Sequence, residues 1–215
     1  MPPILLINPN TSLATTEMMV TQAQSFAGAR WPVHGATATR GPAMITTPED
    51  LDAAEAEVIA IADREARGCS GVIVAAFGDP GVAPLRVRLA VPVVGICEAA
   101  MYEAAALGRF AVATTTPALV QRIADSAARL GLGAQYVGTW LTGGDPLALT
   151  GDPPALQDAL ARAVAACLSE ANVASVIIGG GPLSRAAEAL SGRFAVQLIA
   201  PVAASVRWLL CRLGA

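Results

Sequence analysis

The run Ile4-Leu5-Leu6-Ile7, ending in Asn8-Pro9-Asn10-Thr11-Ser12, returns 106 positions later as Phe110-Ala111-Val112-Ala113 ending in Thr114-Thr115-Thr116. Val72-Ile73-Val74-Ala75-Ala76 returns as Val176-Ile177-Ile178-Gly179-Gly180, and Val91 to Gly95 returns as Ala195 to Ile199, each displaced by 104. Short all-apolar runs bounded by turn residues are strands covered on both faces. Their recurrence in the same order predicts an α/β fold of two pseudo-symmetric lobes, with mostly parallel sheets flanked by helices and an inter-lobe cleft. The halves are expected at residues 1–105 and 106–215, with terminal elements crossing between them.

The remaining segments fit this alternation. Helical spacing runs from Ser12 to about Phe26, from Leu51 to Arg67 after the start signal Pro48-Glu49-Asp50, from Pro117 to Leu130 and from Ala155 to Glu170. Further strands are expected at Trp31–Thr37, Gln135–Gly138, Val173–Ile178 and Phe194–Ile199, with a helix at the C-terminus. Gly143-Gly144-Asp145-Pro146 and Gly151-Asp152-Pro153-Pro154 read as loop.

Lys and Arg total 14 against 17 Asp and Glu, a net charge of −3, which supplies no attraction for nucleic acid or an anionic membrane. No apolar run reaches the roughly 18 residues of a membrane span, and no basic leader precedes the first strand. Cys69, Cys97, Cys167 and Cys211 lack paired spacing and read as free thiols of a reducing, cytoplasmic setting. With one histidine, His34, and scattered cysteines, no metal site is expected.

In parallel sheets the chemistry belongs at the strand exits. Asn8, Asn10 and Thr11 follow the first strand, and their amides and hydroxyls suit a carboxylate or cyclic imide, or simply a capped turn. Thr114 and Thr115 are their counterparts. Phe77-Gly78-Asp79-Pro80-Gly81 carries one ionisable group in an apolar turn, a proton acceptor if burial raises its pKa and an ordinary turn otherwise. Cys97 and Glu98 offer a thiol and a carboxylate at another exit. Gly180 and Gly181 allow close backbone approach but lack a nucleotide-binding spacing.

Together these segments, with Gly41-Pro42 and Pro92 through Ala100, make a chain that resembles the aspartate/glutamate/hydantoin racemase superfamily, especially its hydantoin and allantoin branch. The resemblance covers nearly the whole chain. It implies a cofactor-independent enzyme, an oligomer, and a small carboxylate or cyclic amide as substrate. It also implies two opposed cysteines, one removing the substrate's acidic proton and one returning it. Their positions here are Ala76 and Gly180. On that basis Asn8, Asn10, Thr11, Phe77, Gly78, Thr114, Thr115, Gly180 and Gly181 form the expected binding shell. Asp79, Glu98 and Cys97 are the candidates for noncanonical proton transfer in a racemase-like isomerase. A lyase or hydrolase on a related substrate and a noncatalytic small-molecule sensor are the alternatives.

Overall fold

Residues 4–7 alternate between two cores, and this alternation organises the molecule. In the computed structural model, which describes residues 1–214, the first half runs β1 (Ile4–Asn8), α1 (Leu13–Ala27), β2 (Val33–Thr37), α2 (Pro48–Glu65), β3 (Gly71–Val74), α3 (Val82–Arg88), β4 (Val93–Gly95) and α4 (Ile96–Leu107). The second runs β5 (Phe110–Thr114), a 3-10 turn at Pro117–Leu119, α5 (Val120–Arg129), β6 (Tyr136–Leu141), α6 (Pro146–Thr150), α7 (Pro153–Glu170), β7 (Ser175–Ile178), α8 (Ser184–Ala189), β8 (Gln197–Ile199) and α9 (Pro201–Arg212).

All strand pairings are parallel, in the orders β2-β1-β3-β4 and β6-β5-β7-β8. The second order is the first with each strand replaced by its counterpart in chain order.

Successive strand residues face opposite ways. Ile4, Leu6 and Ile73 therefore join Phe110, Val112 and Ile177 in one core that also takes residues of α1, α4 and α9. Leu5, Ile7, Val72 and Val74 turn outward onto α2 and α3. Ala111, Ala113, Val176 and Ile178 turn outward onto α7 and α8. The two sheets thus share a helical layer between them, and α9 packs on α1 and α4 of the first half.

Strand boundaries differ from expectation for reasons of pairing; β7, expected from Val173, begins at Ser175, which pairs with Phe110 at the start of β5. β2 begins at Val33 because Val33 pairs with Ile4, where β1 starts; Pro32 has no N–H and only its carbonyl serves, accepting Ile4 N at 2.7 Å. β8 is confined to Gln197–Ile199 because residue 197 pairs with Ser175, the first residue of β7, leaving Phe194–Val196 without a partner strand. β6 continues to Leu141 because β5 extends to Thr114 beside it. The expected loop at 143–146 leads into a helix, since Asp145 Oδ1 accepts Ala148 N at 2.8 Å and Pro146 suits the first helical position. Gly95 and Ala200 lead directly into α4 and α9.

Candidate functional site

In each sheet the chain leaves in opposite directions from its two central strands, which makes the gap beyond β1 and β3, and beyond β5 and β7, the topological switch point where parallel α/β folds bind ligands. The extensions of these four strands meet around one cavity of about 50 Å³. Asn10 comes from beyond β1, Ala75–Phe77 from beyond β3, Thr114–Thr116 from the end of β5 and Gly179–Leu183 from beyond β7. Met44, Ile45 and Leu51 close it from the first half, Leu119 and Ile123 from the second.

Close approach of the halves depends on glycine. A Cβ on Gly181 would lie 2.7 Å from Met19 Sδ and 3.0 Å from the Ala75 carbonyl oxygen, so a larger residue would force a shift where the second half's turn meets the end of β3. Gly180 has φ +152 and a Cβ there would stand 3.1 Å from Leu183 Cγ. Among the described residues neither glycine N–H has a protein acceptor, so both are available to a ligand oxygen.

The polar groups are uncharged and oriented. Asn8 is fully buried and does not line the cavity; its Nδ2 donates to Asn10 Oδ1 at 2.8 Å and Thr16 Oγ1 at 2.9 Å, and its Oδ1 accepts Asn10 N at 3.2 Å. Asn10 Oδ1 also accepts Ser12 N at 3.0 Å. With its oxygen engaged twice, Asn10 is left with its NH₂ as a free donor. Thr114 Oγ1 donates to the Gly179 carbonyl at 2.7 Å and ties the two strand ends together. Among the described residues Thr115 Oγ1 is buried without a hydrogen-bond partner, an exception that a ligand would remove.

Of the residues expected in the binding shell, Asn10, Phe77, Thr114, Thr115, Gly180 and Gly181 line this cavity together with Ala76. Thr11 does not; its N–H donates to the Pro42 carbonyl at 3.0 Å and anchors the loop that carries Met44 and Ile45. Gly78 lies beyond the cavity wall, lining an adjoining surface cleft of about 480 Å³.

Asp79 and Glu98 also lie in that cleft and not in the cavity. The Asp79 carboxylate accepts Cys97 N at 2.8 Å and Glu98 N at 2.7 Å, capping α4 from another segment of the chain. Glu98 accepts Gly95 N at 3.0 Å and pairs with Arg86. Cys97 is fully buried in the shared core, and burial, with Asp79 next to it, pushes its thiol well above the ordinary range. That shift disfavours the thiolate needed for proton abstraction or nucleophilic attack. His34 is exposed on β2.

Met44, Ile45, Leu51, Leu119, Ile123, Pro182 and Leu183 are lining residues that strand-exit reasoning passes over. Leu119 and Ile123 stand four apart, and this spacing places them on one helical face.

A sequence profile of the Asp/Glu/Hydantoin racemase family matches residues 4–209. The chain belongs to that family. It is 29% identical over 207 residues to a hydantoin racemase of Pseudomonas sp. (strain NS671), covering 95% of this chain and 83% of the relative. Its fold superposes on the allantoin racemase of Pseudomonas fluorescens with a TM-score of 0.92 at 29% identity, covering 99% of this chain and 92% of that one. For the allantoin racemase of Klebsiella pneumoniae the TM-score is 0.91 at 29% identity, over 100% and 89% of the two chains. The chain is therefore racemase-like in sequence and in its two-lobed architecture. Among the described residues no helix is long and apolar enough to cross a membrane, and no group of three His, Cys, Asp or Glu side chains is placed to hold a metal ion.

Proposed function

We propose that this racemase-like protein binds a small carboxylate or cyclic amide in the strand-end cavity, and that binding, not two-thiol proton exchange, is what the site performs. The observation that carries this reading is the composition of the wall. Asparagine, threonine, methionine, phenylalanine, glycine, proline and aliphatic side chains line it, and among the described residues no acid, base or thiol does. Threonine and amide groups hydrogen-bond carbonyl and carboxylate oxygens without exchanging a carbon-bound proton near neutral pH. Ala76 and Gly180, the positions the family resemblance assigns to the two cysteines, both face the cavity and neither carries a titratable group. The names of the relatives, hydantoin racemase and allantoin racemase, support a cyclic amide.

A second reading keeps catalysis and rests on Asp79. Burial, then the Glu98 carboxylate, pushes its carboxyl up to about 7, the range of an effective general acid or base. It would have to leave the α4 N-terminus to reach a ligand held near Phe77.

Incubation with enantiopure hydantoins, allantoin, aspartate and glutamate in deuterated water, with calorimetric binding on the same panel, separates these readings. Binding without deuterium incorporation, inversion or mass change is expected. Exchange at the α-carbon would establish an isomerase using noncanonical proton transfer, and a change in product mass would establish a lyase or hydrolase. The reading requires no cofactor. It includes a cytoplasmic setting, supported by four free cysteines, and a homo-oligomer, which light scattering after gel filtration tests.

A further inference from the structure

The cavity is small for the ligand class just proposed, being roughly a third of the ~150 Å³ apolar cavity that accommodates benzene. It takes an amide- or carboxylate-sized group, and whatever is attached to that group extends past the lining residues. One residue borders both the cavity and the adjoining polar cleft of about 480 Å³: among the described residues, Leu51 alone lines both.

Its setting is that of a partition. Leu51 is 6% exposed and packs with Ala76, Leu119 and Ile45, all cavity-lining, in a small apolar cluster separate from the three larger cores. Its Cδ2 would be 2.5 Å from a Cβ on Gly78, so the side chain lies directly over the backbone that separates Phe77 in the cavity from Asp79 in the cleft. The backbone beneath it is held firmly. Thr47 Oγ1 accepts Asp50 N at 3.1 Å and Asp50 Oδ2 accepts Thr47 N at 3.3 Å, a capping box at the start of α2. Opening therefore falls to the leucine side chain, which has other staggered rotamers. Beyond it stand Asp52 paired with Arg122, then Glu55, Asp125 and Arg129, a surface that favours a polar, hydrogen-bonding substituent over an aryl one.

We infer that Leu51 is the specificity-determining gate of the ligand site: the amide head of the ligand occupies the cavity, and the bulk of Leu51 limits the substituent that extends from it into the polar cleft. This rests on the proposed binding of a small amide or carboxylate. The experiment measures affinities of full-length wild type, Leu51→Ala, Leu51→Val and Leu51→Phe for hydantoin and for allantoin, which is hydantoin bearing a ureido substituent. Leu51→Ala should raise the ratio of allantoin to hydantoin affinity about tenfold, as removal of a steric block in a pocket wall does. Leu51→Val should raise it less, and Leu51→Phe should lower it. The valine variant carries the test if the alanine variant does not fold, which thermal melting reports. A ratio unchanged across the folded variants while both probes bind overturns the gate alone. If neither probe binds to wild type or to any folded variant, the amide-binding reading fails and the gate with it.

Discussion

Asp79 accepts the backbone N–H of Glu98 at 2.7 Å, and the same feature recurs in the second half, where Ser184 Oγ accepts Val202 N at 3.3 Å. In each lobe the segment beyond the third strand reaches across to cap the helix that follows the fourth. The carboxylate of the first lobe takes a second N–H, that of Cys97, at 2.8 Å. Asp79→Ala should then destabilise the protein by about 1–2 kcal/mol, the cost of losing a helix cap. Urea titration measures it, and a variant as stable as wild type would refute the capping role.

The same carboxylate requires a glycine. A Cβ on Gly95 would lie 2.1 Å from Asp79 Cγ. Gly95→Ala should cost about 1–3 kcal/mol through overpacking. Much of that loss should disappear in the Asp79→Gly background, so the double-mutant cycle should give a coupling of about 1 kcal/mol or more. Additive losses would place the strain elsewhere.

Burial, then the Glu98 carboxylate, lifts Asp79 from its ordinary 3.8 to about 7, outweighing the two N–H donors. The folded state therefore binds a proton that the unfolded chain has released, so the contribution of Asp79 to stability is greatest below 3.8 and falls as pH rises through about 7. Asp79→Asn removes the titration. The stability of wild type relative to this variant should decline across that window and level off above it. Denaturation midpoints of the two proteins with parallel pH dependence would contradict the assignment.

The doubled architecture was legible because its signal is local. β1 and β5 begin at 4 and 110, and β3 and β7 at 71 and 175, reproducing the displacements of 106 and 104 seen in the apolar runs. Strand exits carry the cavity, and the turn residues Asn10, Thr115 and Gly180 could be picked out because they directly follow those runs. What was not legible depends on contacts distant in sequence. Cys97 and Glu98 are adjacent in the chain yet diverge in space, one into the shared core and one to Arg86. Asp79 resembles an ordinary turn residue until α4 is brought beside it. The helices α3 and α8 leave no sequence signal because 7 and 6 residues are too few to establish an apolar period.

Ala76 and Gly180 differ in what they tolerate. A cysteine at 76 stays within ordinary backbone geometry, whereas at 180 it meets φ +152 and Leu183 Cγ, a conformation costing about 1–3 kcal/mol for a residue with a side chain. Ala76→Cys should melt close to wild type and Gly180→Cys clearly below it. The double variant should acquire hydrogen–deuterium exchange at the α-carbon of an enantiopure hydantoin, measured by NMR in deuterated water. Binding without exchange would mean that the two thiols do not straddle the acidic carbon.

Thr115 gives the sharpest separation of binding from stability. Its hydroxyl is buried with no partner among the described residues, so the fold itself leaves the desolvation of that polar group uncompensated. Valine has nearly the same shape without that group. Thr115→Val should therefore stabilise the unliganded protein by about 1 kcal/mol, since an unsatisfied buried hydroxyl costs that order of free energy. It should also weaken binding of hydantoin or a carboxylate about tenfold, the loss of one hydrogen bond in a buried site. Melting curves without ligand and calorimetry with it must move in opposite directions. A variant that is less stable would show that the hydroxyl already has a partner within the fold, and one that is more stable but binds unchanged would remove Thr115 from the ligand site.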